Sequence, residues 1–224
     1  MKELTIAVPK GRLLAAAEEF LRRTELYCGN IDEETPSLVR KDENNKVRLL
    51  LVRPGDVTTY VEEGVADLGI TGKDVLLEQD MDVFEVYDLA RSRCHLAVAA
   101  PRSKYEQFAG PDDFYASLNH PIRVGTKYPA VAESHFSQKG ISCRTIPLKG
   151  SVELAPLTGL SEIIVDVVAT GSTLRANHLV EVEKVADSSA RLLANRVSLK
   201  TNPRIGGIVA SLHAAGDEKG ERKC

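Results

Sequence analysis

The chain has 224 residues, of which 43% are hydrophobic and 27% charged, and its formal net charge is −3. That composition supports a substantial core in one large or two small domains. A slightly acidic chain with no Trp and only 5% aromatics excludes a nucleic-acid binder held by a basic or base-stacking surface.

In chain order, the opening "MKELTIAVPKGRLL" is interrupted by Pro9, Lys10 and Arg12, so it does not read as a secretory signal. Nowhere does an apolar run approach the roughly 20 residues of a membrane span. "LTIAV" (4–8) predicts a strand, followed by a helix whose Leu13, Ala16, Ala17, Phe20 and Leu21 share one face. "VRLLLV" (47–52) is the next strand, and "DVTTYVEEG" (56–64) is a helix closed by a glycine. "DLGIT" (67–71), "HLAVAA" (95–100) and "IRVGT" (122–126) are strands, and "AVAESHFSQKG" (130–140) is a helix. "CRTIPL" (143–148) and "EIIVDVVA" (162–169) complete the strand set. This alternation predicts an α/β protein with mostly parallel sheets, whose ligands bind where strands end and helices begin. A composition shift in "ARSRCHLAVAAPRS" (90–103) suggests a crossover between two lobes, and "GDEKGERKC" (216–224) a charged tail.

Cys28, Cys94, Cys143 and Cys224 form no Cys-x-x-Cys pair, and the five histidines show no ligand spacing. Reduced thiols in a cytoplasmic protein are expected, with no metal site built from the protein alone.

Three strand-end loops carry chemistry. In "DVVATGSTLRAN" (166–177) an apolar strand runs through Ala169 into Thr170, Gly171, Ser172 and Thr173 and then a helix. Backbone N–H groups and hydroxyls in that order suit an anion, and Asp166 suits sugar hydroxyls, so the stretch reads as a ribose 5-phosphate site. It reads equally as a helix N-cap. In "AVPKGRL" (7–13), Lys10 and Arg12 flank Gly11. They suit an oligophosphate, or an ordinary solvated loop; a Walker A spacing is missing. Arg53 follows another strand, and Asp74 opens the helix after "GITG", where the helix dipole alone would explain it.

"AVPKGRL", "RPGDVTTYVEEGVADLGITGKDVLLE" (53–78), "RCHLAVAAP" (93–101), "TKYPAVAESHF" (126–136) and "LKGSVELAPLTGLSEIIVDVVATGSTLRANHLVEVE" (148–183) together resemble the short-form ATP phosphoribosyltransferase family. The resemblance implies two periplasmic-binding-protein-like lobes around a central cleft. Lobe I would hold residues 1–90 and 176–215, and lobe II residues 91–175. It implies a Mg²⁺-dependent transfer from phosphoribosyl pyrophosphate (PRPP) to N1 of ATP, the first step of histidine biosynthesis. Ala169, Thr170, Gly171, Ser172 and Thr173 would hold the 5-phosphate, and Asp166 and Glu153 the ribose hydroxyls. Lys10, Arg12 and Arg53 would serve the phosphates, with Asp74 on the purine side. Substrate oxygens and water would carry most of the Mg²⁺ shell.

The sequence departs from the family in "ETPSLVRKDENN" (34–45), where Pro36 stands in place of an arginine; Arg40 is the nearest cation that could serve instead. The chain also stops near 224, without the long form's regulatory domain. The resemblance therefore implies a separate subunit similar to histidyl-tRNA synthetase, assembled with a homodimer of this chain into a hetero-oligomer. The rival readings are a small-anion binding protein of the same fold, which would need an export signal, and a transcription-factor effector domain, which would need a helix-turn-helix segment.

Overall fold

The computed structural model describes residues 3–31 and 36–220, with side chains through residue 214. The chain folds as two units, one of residues 1–76, 80–92 and 189–224, the other of 77–79 and 93–188.

The first unit is built on a six-stranded sheet. Its strands are β1 (Leu4–Pro9), β2 (Val39–Asp42), β3 (Val47–Val52), β4 (Leu68–Gly72), β5 (Phe84–Asp88) and β11 (Ala190–Ala194), in the order β2-β3-β1-β4-β11-β5. β3, β1 and β4 are parallel at the centre; β2 and β11 run the other way. β1 is buried throughout because both its faces are covered. Leu4, Ile6 and Val8 pack with Ala16, Ala17, Phe20 and Leu21 of α1 (Leu14–Arg23) and with Ile205 and Leu212 of α10 (Pro203–Gly220). Ala7 faces the other way, onto Val57 and Val61 of α2 (Val57–Glu62). A strand sandwiched in this way reads as a continuous apolar run rather than an alternating one. The unit is completed by α9 (Arg196–Thr201), whose start is capped by Asn195 Oδ1 accepting from the N–H groups of Val197 and Ser198.

The second unit carries a five-stranded sheet of β6 (Cys94–Pro101), β7 (Ile122–Thr126), β8 (Cys143–Pro147), β9 (Ile163–Val168) and β10 (Leu179–Ser188), ordered β10-β6-β9-β7-β8. β9, β7 and β8 are parallel; β6 is antiparallel to both its neighbours. On one face, Ile163 and Val165 meet Phe114 and Tyr115 of α5 (Pro111–Ser117) and Phe136 of α6 (Pro129–Gln138). On the other, Ile164 and Val168 meet Val152, Ala155 of α7 (Leu154–Leu157) and Leu174 of α8 (Ser172–Ala176). The short α3 (Lys73–Glu78) and α4 (Arg102–Tyr105) follow β4 and β6.

A polar hub braces the first of these faces. Glu183 of β10 accepts hydrogen bonds from Tyr115 Oη at 2.7 Å, His135 Nε2 at 2.8 Å and Lys139 Nζ at 2.8 Å. Burial alone would raise its pKa, but these three bonds outweigh it and hold the carboxyl below the ordinary Glu value.

Both sheets are mixed: most strands of each run one way, as expected, while β2, β11 and β6 reverse direction within them. Two expected bounds are corrected. The return expected at 176 falls at 189, because β10 pairs along β6 from Leu179↔Pro101 to Ser188↔Cys94 and so stays in the second unit. The expected tail begins inside α10, which runs to Gly220; residues 221–224 lie outside those described. No helix among the described residues is long and apolar enough to cross a membrane.

Candidate functional site

In the first unit, the parallel strands β3, β1 and β4 bring their carboxyl ends to one edge of the sheet. Backbone and side-chain bonds tie the three exits together. Lys10 N–H donates to Val52 O at 3.0 Å, and Thr71 Oγ1 donates to Pro54 O at 3.0 Å. Lys10, Arg12, Arg53 and Asp74 thus share one edge.

The cations are unequal. Arg12 is exposed but oriented: its Nη1 donates to Ser92 O at 3.0 Å and its Nη2 lies 3.7 Å from Asp74 Oδ1. Asp74, 3% exposed, is tucked against the strand end, and a Cβ at Gly72 would collide with its Oδ1. Only glycine gives that carboxylate its place. Among the described residues, neither half-buried Lys10 nor exposed Arg53 makes an ion pair. Two uncompensated cations beside an oriented guanidinium make an edge suited to a polyanion.

The second unit repeats the architecture with different chemistry. β9, β7 and β8 end on one edge, tied by Leu148 N–H to Thr126 O at 2.8 Å and Thr126 Oγ1 to Val165 O at 2.6 Å. After β9 comes the turn of residues 169–171, then α8. Gly171 has φ of 69°, the left-handed conformation that L-residues resist. Thr170 and Ser172 hydroxyls lie 3.0 Å apart, and Ser172 N–H donates weakly to Thr170 Oγ1 at 3.4 Å. Ala169, Thr170, Ser172 and Thr173 are exposed. The turn is therefore shaped, open and lined by small donors.

Asp166 lies on the β9 face that carries Ile164 and Val168, the face covered by α7 and α8. Its Oδ1 accepts from Val167 N–H at 2.8 Å. Glu153 is the N-cap residue of α7 on that same face, with no side-chain cap bond. Its carboxylate makes no ion pair among the described residues.

Sequence reasoning overlooked Arg175. Its Nη1 would lie 3.0 Å from a Cβ at Gly171, so the guanidinium folds over the turn from one helical step further on. The i+4 spacing from Gly171 was the available signal. Arg40, on β2 opposite Leu49, donates to the carbonyls of Ser37 and Val39. Pro36 is exposed, and residues 34 and 35 of that stretch lie outside those described.

Comparison with known proteins adds to this geometry. The family model described as "HisG: ATP phosphoribosyltransferase" matches residues 53–214. The ATP phosphoribosyltransferases of Geobacter metallireducens and Geobacillus kaustophilus are each 47% identical over 210 residues. Those matches cover 93% of this chain and 96% and 94% of the relatives. A solved ATP phosphoribosyl transferase (HisG:HisZ) complex from Thermotoga maritima contains a chain 34% identical at a TM-score of 0.75. That match covers 93% of this chain and 94% of the other. For fold alone, a histidine kinase sensor domain with similarity to periplasmic binding proteins matches at TM-score 0.55 and 12% identity, covering 98% of this chain and 94% of that one.

Proposed function

The chain belongs to the ATP phosphoribosyltransferase family, and from that premise we propose how its two sheet edges divide the reaction. The chain transfers the phosphoribosyl group of PRPP to N1 of ATP and releases pyrophosphate, the first step of histidine biosynthesis. The bond from N1 to the ribose C1 forms as the bond from C1 to the pyrophosphate oxygen breaks, and the electron pair leaves with pyrophosphate. Adenine N1 has its lone pair free at neutral pH, so the nucleophile needs no base.

What remains costly is alignment of two polyanions and stabilisation of the leaving group. Alignment can be worth an effective molarity of ~10⁵–10⁸ M. The hydroxyl turn, with Ala169, Thr170, Gly171, Ser172 and Thr173, grips the 5-phosphate through N–H and O–H donors. Asp166 and Glu153 accept from the ribose hydroxyls and so set the angle of C1. Lys10, Arg12 and Arg53 hold the phosphates of ATP and the departing pyrophosphate, where one preorganised donor is worth roughly 2.7–4 kcal/mol. Asp74 lies on the purine side and orients Arg12. The observation that carries this division is the left-handed Gly171 turn at the end of β9, the strand that carries Asp166, with small hydroxyls on its open side.

Mg²⁺ belongs to the proposal as a companion of the substrates. Among the described residues no group of three or more His, Cys, Asp or Glu could hold a metal. The donors that do fit are the separate carboxylates Asp166 and Glu153, hard oxygens for an ion that keeps water and substrate oxygens as its other ligands. Bound there, Mg²⁺ would supply charge neutralisation to the pyrophosphate.

We also propose a cytoplasmic setting and a homodimer of this chain within a hetero-oligomer, joined by a regulatory subunit similar to histidyl-tRNA synthetase. The support is the solved HisG:HisZ complex of the Thermotoga maritima relative. Absorbance of the N1-substituted adenine product, in a mixture of chain, ATP, PRPP and Mg²⁺, tests the activity. Product is expected; none, even with the partner subunit supplied, would leave an anion-binding protein.

A further inference from the structure

The segment through which the chain leaves the first unit is strained. Ala90 has φ of 54° and Ser92 φ of 50°, a left-handed backbone at two non-glycine positions one residue apart. Such residues persist only where neighbours over-determine them. Here they are over-determined. Ala90 N–H donates to Asp88 Oδ1 at 2.8 Å, and Ser189 Oγ donates to the same oxygen at 2.8 Å. Leu89 N–H donates to Ala190 O at 3.0 Å, and Ala190 N–H to Arg91 O at 2.9 Å. Arg91 grips Glu19 of α1 with both Nε and Nη2 at 2.6 Å.

What the last of these residues does is different in kind. Ser92 O accepts from Arg12 Nη1 at 3.0 Å, and Ser92 Oγ donates at 3.4 Å to Arg12 O. The contact joins residues 80 positions apart. Arg12 is exposed, so this contact adds little to folding stability; its effect is on where the guanidinium points. The guanidinium is held by one hydrogen bond, from Nη1 to Ser92 O, and steered by one ion pair, Nη2 lying 3.7 Å from Asp74 Oδ1. Fixing a cation before substrate arrives spares the ordering of a long, rotamer-rich side chain.

We propose that Ser92 is a positioning residue for Arg12, its left-handed backbone turning a carbonyl onto the guanidinium and holding that cation ready for substrate phosphate. The carbonyl, not the hydroxyl, does the positioning, so backbone conformation at residue 92 controls a side chain in the substrate site. The inference rests on Arg12 serving the phosphates, as proposed above.

A double-mutant cycle on the full chain, with its partner subunit if activity needs it, tests the proposal through kcat/KM for PRPP and ATP. Ser92→Gly keeps the left-handed backbone and is expected to stay within about threefold of the parent. Ser92→Val, whose branched side chain resists that backbone, is expected to lose roughly tenfold, and to lose nothing more in an Arg12→Ala background. If Ser92→Val does not fold, Ser92→Thr replaces it, since it keeps the hydroxyl but also resists the left-handed backbone. Equal losses in both backgrounds, or a Ser92→Gly loss matching Ser92→Val, would overturn the positioning role. Arg12→Ala with full activity would overturn the substrate role of Arg12, and this inference with it.

Discussion

In the proposed reading, the two sheet edges hold phosphate by opposite means. The first unit uses long charged side chains, with Lys10 and Arg53 unpaired among the described residues and Arg12 steered by Asp74 and Ser92. The second uses a short turn of small residues, whose donors are fixed by the backbone of Gly171 and the start of α8. Long cations tolerate a moving, multiply charged ligand such as a triphosphate or a leaving pyrophosphate. A rigid turn suits a single phosphate that must stay put while the sugar carbon reacts. The contrast suits the proposed chemistry, in which one end of PRPP is an anchor and the other departs.

That contrast can be broken where it is sharpest. Gly171→Val places a branched side chain at φ of 69° and against Arg175. Strain of 1–3 kcal/mol or more at such a position predicts a roughly 100-fold lower kcat/KM for PRPP. Steady-state kinetics with a parallel melting curve would check this, and normal kinetics would mean that the turn is no anchor. Asp166→Asn should weaken PRPP by about 1.5–3 kcal/mol in calorimetry, the worth of a hydrogen bond to a charged group. An unchanged affinity would take Asp166 out of the sugar contacts. Arg53→Ala should lower turnover about tenfold or more while stability moves by less than ~0.5 kcal/mol, since the side chain is exposed. A large fall in melting temperature with normal turnover would make Arg53 structural instead.

The smallest expected effect is one of pH, and it sharpens the comparison by separating the support of the second unit from its site. Glu183 has a folded pKa below its unfolded value, so its hub stabilises above the unfolded pKa and loses that contribution as pH falls through the folded one. Melting curves from neutral pH into the acid range should show this loss, and Glu183→Gln should flatten it. An equal acid slope in that variant would assign the loss to other carboxylates.

Much of this was legible in the sequence because strands covered on both faces announce themselves. "LTIAV", "VRLLLV" and "EIIVDVVA" fall within a residue of β1, β3 and β9. The strands β10 and β11 did not announce themselves. β10 carries Glu181, Glu183, Lys184 and Asp187 among its apolar residues, and its register slips twice along β6. β11 follows it after a single residue, Ser189, with no Gly or Pro to mark where the chain changes sheets. Hence the misplaced return to the first unit. At the candidate site, strand-end position singled out Lys10, Arg12, Arg53, Asp74 and the 166–173 stretch, while Glu153 and the role of each residue came from the family resemblance. Arg175 needed the helix turn in hand, and Ser92 needed its backbone angle, since a serine in left-handed conformation leaves no trace in sequence.

The division of labour between the edges is tested most directly by a crystal structure of this chain with PRPP and Mg²⁺ bound. The account predicts the 5-phosphate oxygens within hydrogen-bond distance of the N–H and hydroxyl groups of residues 170–173. A 5-phosphate seated on Lys10 and Arg53, with the Gly171 turn left bare, would contradict it.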